Sequence, residues 1–360
     1  MGRQLLLPVR DLPAAAVVRR LGGVQAQLAS AATLAVRVRQ QRSSPGEIPG
    51  ALARGDLIKT WGMRGTLHLL VPEQARDFLS LLAAGRMWER PAWVRAFGLA
   101  PDEVQGLRRV VRQALDGRLL TREELVAEVA ARSGSDHISR ALRSGWGTVL
   151  KPLAYQGDLC FGPNQGNRVT FTTPQAASPA WKRLPSADEA GPRAVLSYLD
   201  AYGPATAEGF GNWLSRGRIP KRRLLEWFGA VAGRLAEIDV EGTRAYVRAE
   251  HLDHLAATRA RSPTVRLLPG FDQWVLGPGT EDAHVIPSAR RRAVSRQSGW
   301  IAPVVVLDGA VAGTWELTPA GVRAAWFAES GSPPVDALRV ETNRLAGIVG
   351  RDLAIETVLT

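Results

Sequence analysis

Apolar positions along the chain switch repeatedly between a period near 3.6 residues and a period of two, the marks of amphipathic helices and half-buried strands. The clearest cycle lies between Leu119 and Thr173. There Thr121-Arg122-Glu123-Glu124 has the form of a helix N-cap with acids in the first turn, and Leu125, Val126, Val129 and Ala130 follow at helical spacing. The pattern predicts a second helix around 138–142, a third within 147–155, and a hairpin over 159–171 whose apolar strands flank a Gly/Pro/Asn-rich loop. Three helices followed by a hairpin make a winged helix-turn-helix. The order recurs in 192–250, with helices at 194–201, 206–214 and 221–230, strands at 235–240 and 244–247, and a break at Tyr202-Gly203-Pro204. A third version has helices at 14–22, 29–39 and 45–54 and strands at 58–61 and 66–70.

The expected organisation is therefore α+β and mainly helical. Winged-helix units are expected at 1–71, 119–173 and 192–262, with a helical insertion at 72–118 and a Pro/Ala/Ser-bearing linker at 174–191. A β-rich subdomain follows at 263–360, with strands near 265–270, 304–309 and 311–315 and a final amphipathic helix over 335–345.

Composition adds a partner class. The chain of 360 residues carries a formal charge of +12, unevenly spread: residues 1–190 hold 26 Lys or Arg against 16 Asp or Glu, and residues 191–360 hold 20 against 18. A surface that neutralises phosphates gains affinity from released counterions, so a basic first half points to nucleic acid. Only Lys59, Lys151, Lys182 and Lys221 are lysines, and the arginine excess by itself is a compositional bias. The single cysteine, Cys160, excludes an intramolecular disulfide and a multi-cysteine zinc site. No leader-like start and no apolar run near 20 residues is present, so a cytoplasmic location without a membrane span is expected.

Several residues have the right chemistry and position to touch a duplex. Asn164, Gln165, Asn167 and Arg168 occupy the hairpin loop, where hydrogen-bonding side chains and glycine allow close approach to a groove; a plain exposed turn is the other reading. Lys151, with Arg140 and Arg143, makes either a phosphate-binding face or a solvated one. Arg218, Lys221 and Arg222 belong to the run 216–223, which holds five positive charges and no acid. Trp61 and Trp146 are candidates for stacking on a base, against a core role. The chain has no phosphate-binding glycine loop, HExxH, nucleophile elbow or Cys/His metal set, so neither metal nor cofactor is expected.

Five segments in order resemble the bacterial winged-helix DNA glycosylases of the AlkZ and YcaQ type. They are Leu21-Gly22-Gly23-Val24-Gln25-Ala26-Gln27, Thr60-Trp61-Gly62-Met63-Arg64-Gly65-Thr66-Leu67-His68, Gly157-Asp158-Leu159, Leu267-Leu268-Pro269-Gly270-Phe271-Asp272, and Asp308-Gly309 through Gly313-Thr314-Trp315. The resemblance implies a C-shaped clamp of three winged helices on double-stranded DNA carrying alkylated purines, acting as a monomer. It also implies excision of N-alkylated purines, extending to bulky adducts or crosslinks made by DNA-alkylating antibiotics. The family's catalytic glutamines map to Gln25 and Gln27, with alanine where bulkier apolar residues also occur. Arg64 then becomes a phosphate-gripping wing residue and His68 a residue lining the site, or else a satisfied structural histidine.

A purine alkylated at N7 is already cationic and departs as a neutral base, so placing a water at the anomeric carbon is the main remaining task. A glutamine oxygen can accept from that water while its NH2 donates elsewhere. On a helix, two residues two apart diverge by about 200°; in an extended stretch they share a side. From pattern alone, capping or solvent-facing roles for Gln25 and Gln27 stand beside the catalytic one. A non-enzymatic winged-helix regulator or lesion-binding resistance factor stands beside the enzyme.

Overall fold

In a computed structural model, residues 1–7, 11–143, 147–256 and 263–360 are described. Some of the helices begin where side chains satisfy the orphan amides of a first turn. Thr121 Oγ1 accepts from the Glu124 amide at 3.3 Å and Glu124 Oε2 accepts from the Thr121 amide at 2.8 Å, opening the helix Arg122–Ser133. Ser186 and Glu189 form the same reciprocal pair, at 3.2 and 2.8 Å, and open the helix Ala187–Tyr202. That helix starts inside the expected linker and runs through Pro192. The capping pair outweighs the single backbone bond that proline removes. A short helix, Pro174–Ala177, takes up more of the same stretch.

The chain is α+β and forms two compact units. One comprises Ile48–Ser197 and Leu214–Val231. Here the strands Leu67–Leu70, Ile58–Trp61, Cys160–Phe161, Thr170–Thr172 and Leu120–Thr121 lie side by side in that order, all antiparallel. Residues 72–118 hold the helices Pro72–Ala84, Pro91–Phe97 and Pro101–Ala114. Trp61 is buried, its ring 4.7 Å from that of Phe161 and 6.2 Å from that of Phe171. A Cβ on Gly147 would come within 2.9 Å of the Trp61 ring. Trp61 is therefore a packing residue of this sheet and has no free face for a base; Trp146 lies outside the described residues. Asp158, of the Gly157-Asp158-Leu159 segment, is buried and paired with Arg108 at 2.5 Å.

The other unit comprises Met1–Glu47, Tyr198–Trp213 and Ala232–Thr360. Its sheet runs in the order Ala354–Leu359, Gly321–Trp326, Ala310–Thr318, Val304–Leu307 and Val265–Leu268, antiparallel except for the first pair. The strands Gly321–Trp326 and Ala354–Leu359 add to the three expected. The helix Val335–Val349 buries Leu338 and Leu345 against one face, where Val305, Ala312 and Trp315 point. Val304, Val306 and Val311 line the opposite face with Leu6, Val38 and Phe271. In the same unit, Arg39 and Asp272 form a fully buried ion pair, with two guanidinium nitrogens 2.7 and 2.8 Å from the two carboxylate oxygens. No helix among the described residues is long and apolar enough to cross a membrane.

Candidate functional site

The helix Ala14–Arg20 ends because the next residues leave right-handed space, Gly22 at φ 63° and Gly23 at φ 107°. The Gly23 amide donates to the Val18 carbonyl at 2.9 Å and the Gly22 amide to Arg19 at 3.1 Å. This paired C-cap satisfies two end carbonyls and needs glycine at the left-handed position. Tyr202 holds the same corner, its hydroxyl donating to the Leu21 carbonyl at 2.5 Å, with Gln273 Oε1 3.2 Å away.

The chain leaves that corner as the strand Val24–Gln25, and the helix Ala29–Arg37 begins four residues beyond Gln25. Gln25-Ala26-Gln27 therefore lies in a connection between helices, and the divergence expected on a helix does not arise. Gln25 is buried, at 6% exposure, Ala26 is buried beside it, and Gln27 is exposed. No carboxylate, histidine or hydroxyl occurs from Gly22 to Leu28, so the amides are the only polar side chains this connection offers.

The other expected residues fall in the unit built from 48–197 and 214–231. Arg64 sits in the turn between two antiparallel strands, at φ 56°. His68 is fully buried on the second strand, opposite Thr60. Its Nδ1 lies 3.0 Å from the Thr66 carbonyl, which fixes the proton on that nitrogen. Burial, the charge of Arg64 and the hydrogen bond to Thr66 leave its pKa at about 3, so the ring is neutral. The ring packs against the turn at 62–66, the structural role that stood beside a place lining the site.

Asn164, Gln165, Asn167 and Arg168 are all exposed on the hairpin loop, whose tip is closed by paired backbone bonds between Gln165 and Arg168 at 3.0 and 3.1 Å. Arg218, Lys221 and Arg222 are exposed, and Lys151 is half-buried. Arg216 and Arg218 lie within electrostatic reach of Lys151. Arg222 instead lies 3.6 Å from Glu226. Tyr155, four residues after Lys151, belongs to the same group, and the i, i+4 spacing was the signal in the sequence.

Among the described residues, one histidine and acid group has the compactness of a metal site: Asp200, Glu250 and His251. Arg248 already occupies it, at 2.6 Å from Asp200 and 2.7 Å from Glu250. The Cys160 thiol is pushed up to about 12 by complete burial and is chemically quiet.

Residues 18–348 match the profile of the AlkZ-like DNA glycosylases. An interstrand DNA cross-link repair glycosylase of Streptomyces sahachiroi is 46% identical over 351 residues, covering 97% of this chain and 94% of that protein. The solved structure of Streptomyces sahachiroi DNA glycosylase AlkZ is similar at a TM-score of 0.95 and 45% identity, over 99% of this chain and 97% of that one.

Proposed function

The chain belongs to the AlkZ-like DNA glycosylase family, an enzyme acting on DNA, and from that premise we propose that it hydrolyses the N-glycosidic bond of N7-alkylated purines. The observation that carries the proposal is the Gln25-Ala26-Gln27 connection, held at a glycine corner and offering amides alone. An amide cannot take a proton as a general base. It can fix a water by accepting one of its hydrogens, and that suffices when the leaving group is already charged.

In this mechanism a water oxygen, held by the carbonyl of Gln25 or Gln27, attacks C1′ as the bond to N9 breaks. The bond's electron pair passes to the purine and cancels its positive charge, and the extra proton on the new C1′ hydroxyl is lost to solvent. Burial of Gln25 favours a fixed geometry, and exposure of Gln27 leaves it able to reach substrate. An unmodified purine would have to leave as an anion, so undamaged DNA is spared.

The reading extends to bulky adducts and interstrand crosslinks, because the Streptomyces sahachiroi relative carries that name. Arg64, Lys151, Arg218 and Lys221 serve phosphates, Arg222 contributes least because Glu226 lies beside it, and the loop residues Asn164, Gln165, Asn167 and Arg168 serve a groove. His68 acts by supporting the Arg64 turn. The expected winged-helix units at 1–71, 119–173 and 192–262 act together as a monomer in the cytoplasm. A non-enzymatic regulator falls outside the family to which the chain belongs.

The test is incubation of the native protein with duplexes carrying N7-methylguanine or a bulky N7 adduct, followed by alkali. Strand breaks at the modified base are expected and none at unmodified guanine. Intact strands for every alkylated duplex would overturn the reading.

A further inference from the structure

In the unit of Ile48–Ser197 and Leu214–Val231, two cations, Arg216 and Arg218, act electrostatically on a third, Lys151, and no acid does. Lys151 is half-buried at the start of the short helix Lys151–Tyr155. Arg216 and Arg218 are exposed on the loop ahead of the helix Lys221–Gly229. After burial itself, their charges hold the Lys151 ammonium below its ordinary pKa. The same two guanidinium groups bear on the Tyr155 phenol, which burial pushes up to about 12 and so keeps protonated as a donor.

The turn Met63–Gly65 closes the group from another side. A Cβ on Gly65 would lie 3.3 Å from the Tyr155 hydroxyl and 3.7 Å from Lys151 Nζ. Among the described residues, Lys151, Arg216 and Arg218 have no carboxylate partner, whereas Arg223 of the same basic run is paired with Glu226 at 2.9 Å.

The backbone adds a second, independent observation. Arg64-Gly65 has φ of 56° and 76°, and Arg216-Gly217 has φ of 59° and 70°. Arginine avoids this left-handed region because its Cβ crowds the backbone. Such conformations persist where the surroundings impose them, and they concentrate at functional sites. Two Arg-Gly turns of one form thus border a single cluster.

The geometry points to a seat for one phosphate of the DNA backbone, made by Lys151, Arg216 and Arg218 with the Tyr155 hydroxyl, and kept open by Gly65. Converging cations suit one anion with several acceptor oxygens better than a row of phosphates, which would be met by cations spaced along a groove. The seat rests on DNA as the substrate and is independent of the roles given to Gln25 and Gln27. In the free protein the like charges repel, so removing one relieves a cost that binding otherwise offsets.

The test is affinity for a defined undamaged duplex across a salt series. Native protein is compared with Arg216→Gln, Arg218→Gln, their double variant, and the triple variant that adds Lys151→Gln. Each phosphate neutralised contributes about 0.9 to the slope of log affinity against log salt. A shared phosphate predicts a total slope loss near 0.9 for the triple variant, with the single losses failing to add. It also predicts a melting temperature for Lys151→Gln raised by about 1–3 °C, since a half-buried, repelled charge is removed.

A slope loss near 1.8 or more in the triple variant, or no loss, would overturn the single seat, as would a lowered melting temperature for Lys151→Gln. Base release from N7-methylguanine duplex by native protein is measured alongside. Release with an unchanged slope defeats the seat alone, and a changed slope without release defeats the glycosylase reading alone.

Discussion

Arg39 and Lys151 are both cations drawn out of water, and they are treated in opposite ways. Arg39 is fully buried, bonded to both oxygens of Asp272 and to the carbonyls of Gln4 and Ala35 at 2.9 and 2.7 Å. Lys151 is half-buried, and the charges that act on it are two more cations. The first arrangement satisfies the donors of a planar guanidinium inside the protein, so its work is complete when the chain has folded. The second is complete only when an anion arrives. Asp272 and Asp158 stand in segments that carry the family resemblance, yet both are spent on internal ion pairs. Membership of a recognisable motif therefore does not distinguish a fold residue from a substrate residue; the partner of its charge does.

The strongest way to break this contrast is Asp272→Ala. It strands the Arg39 charge in the core and is expected to cost about 3–5 kcal/mol of stability, read by urea unfolding. An Arg39→Met/Asp272→Leu double variant should recover much of that, since apolar replacement of a buried pair is often neutral. A loss below about 1 kcal/mol in the single variant would mean that the pair does not hold the fold.

A smaller effect is expected from pH. The unfolded chain protonates His68 near pH 6.5, while the folded chain resists until about 3. Between those values the unfolded state binds more protons, so stability falls as pH falls. From pH 7 to 5 this one group removes about 2 kcal/mol. Unfolding followed at several pH values should give a slope that flattens by up to one proton in His68→Gln. An unchanged slope would contradict the burial of a neutral ring.

The smallest effect is expected at Arg222, which is exposed and lies near Glu226. Arg222→Gln should change affinity for undamaged duplex by about twofold or less, against a larger loss for Arg216→Gln. Equal losses would blur the line between paired and unpaired cations.

Much of the secondary structure could be read locally. The strand Ile58–Trp61 and the cap at Thr121 lie where alternation and capping chemistry put them. The strand Gly321–Trp326 was not among the expected ones, although Val322, Ala324 and Trp326 alternate around exposed Arg323. The strand Ala354–Leu359 was not legible, because it is nearly all exposed and is held by parallel pairing with residues about 30 positions earlier. Pro192 misled through its rule against helix interiors, which the Ser186–Glu189 cap overrode.

The site divided in the same way. The corner at Gly22-Gly23 was visible as two glycines ahead of Gln25. The burial of Trp61 and His68 depends on residues distant in sequence, Phe161, Phe171 and Gly147 for Trp61, and could not be read from their own neighbours. The action of Arg216 and Arg218 on Lys151 spans more than 60 positions and required the fold.

The central claim, that Gln25 and Gln27 place the attacking water, is tested most directly by the single-turnover rate of base release from N7-methylguanine duplex, with protein in excess. For Gln25→Ala/Gln27→Ala the account predicts a rate about 100-fold below native, equivalent to about 2.7 kcal/mol of barrier, with duplex affinity within about threefold. A double variant that releases base at the native rate would contradict it.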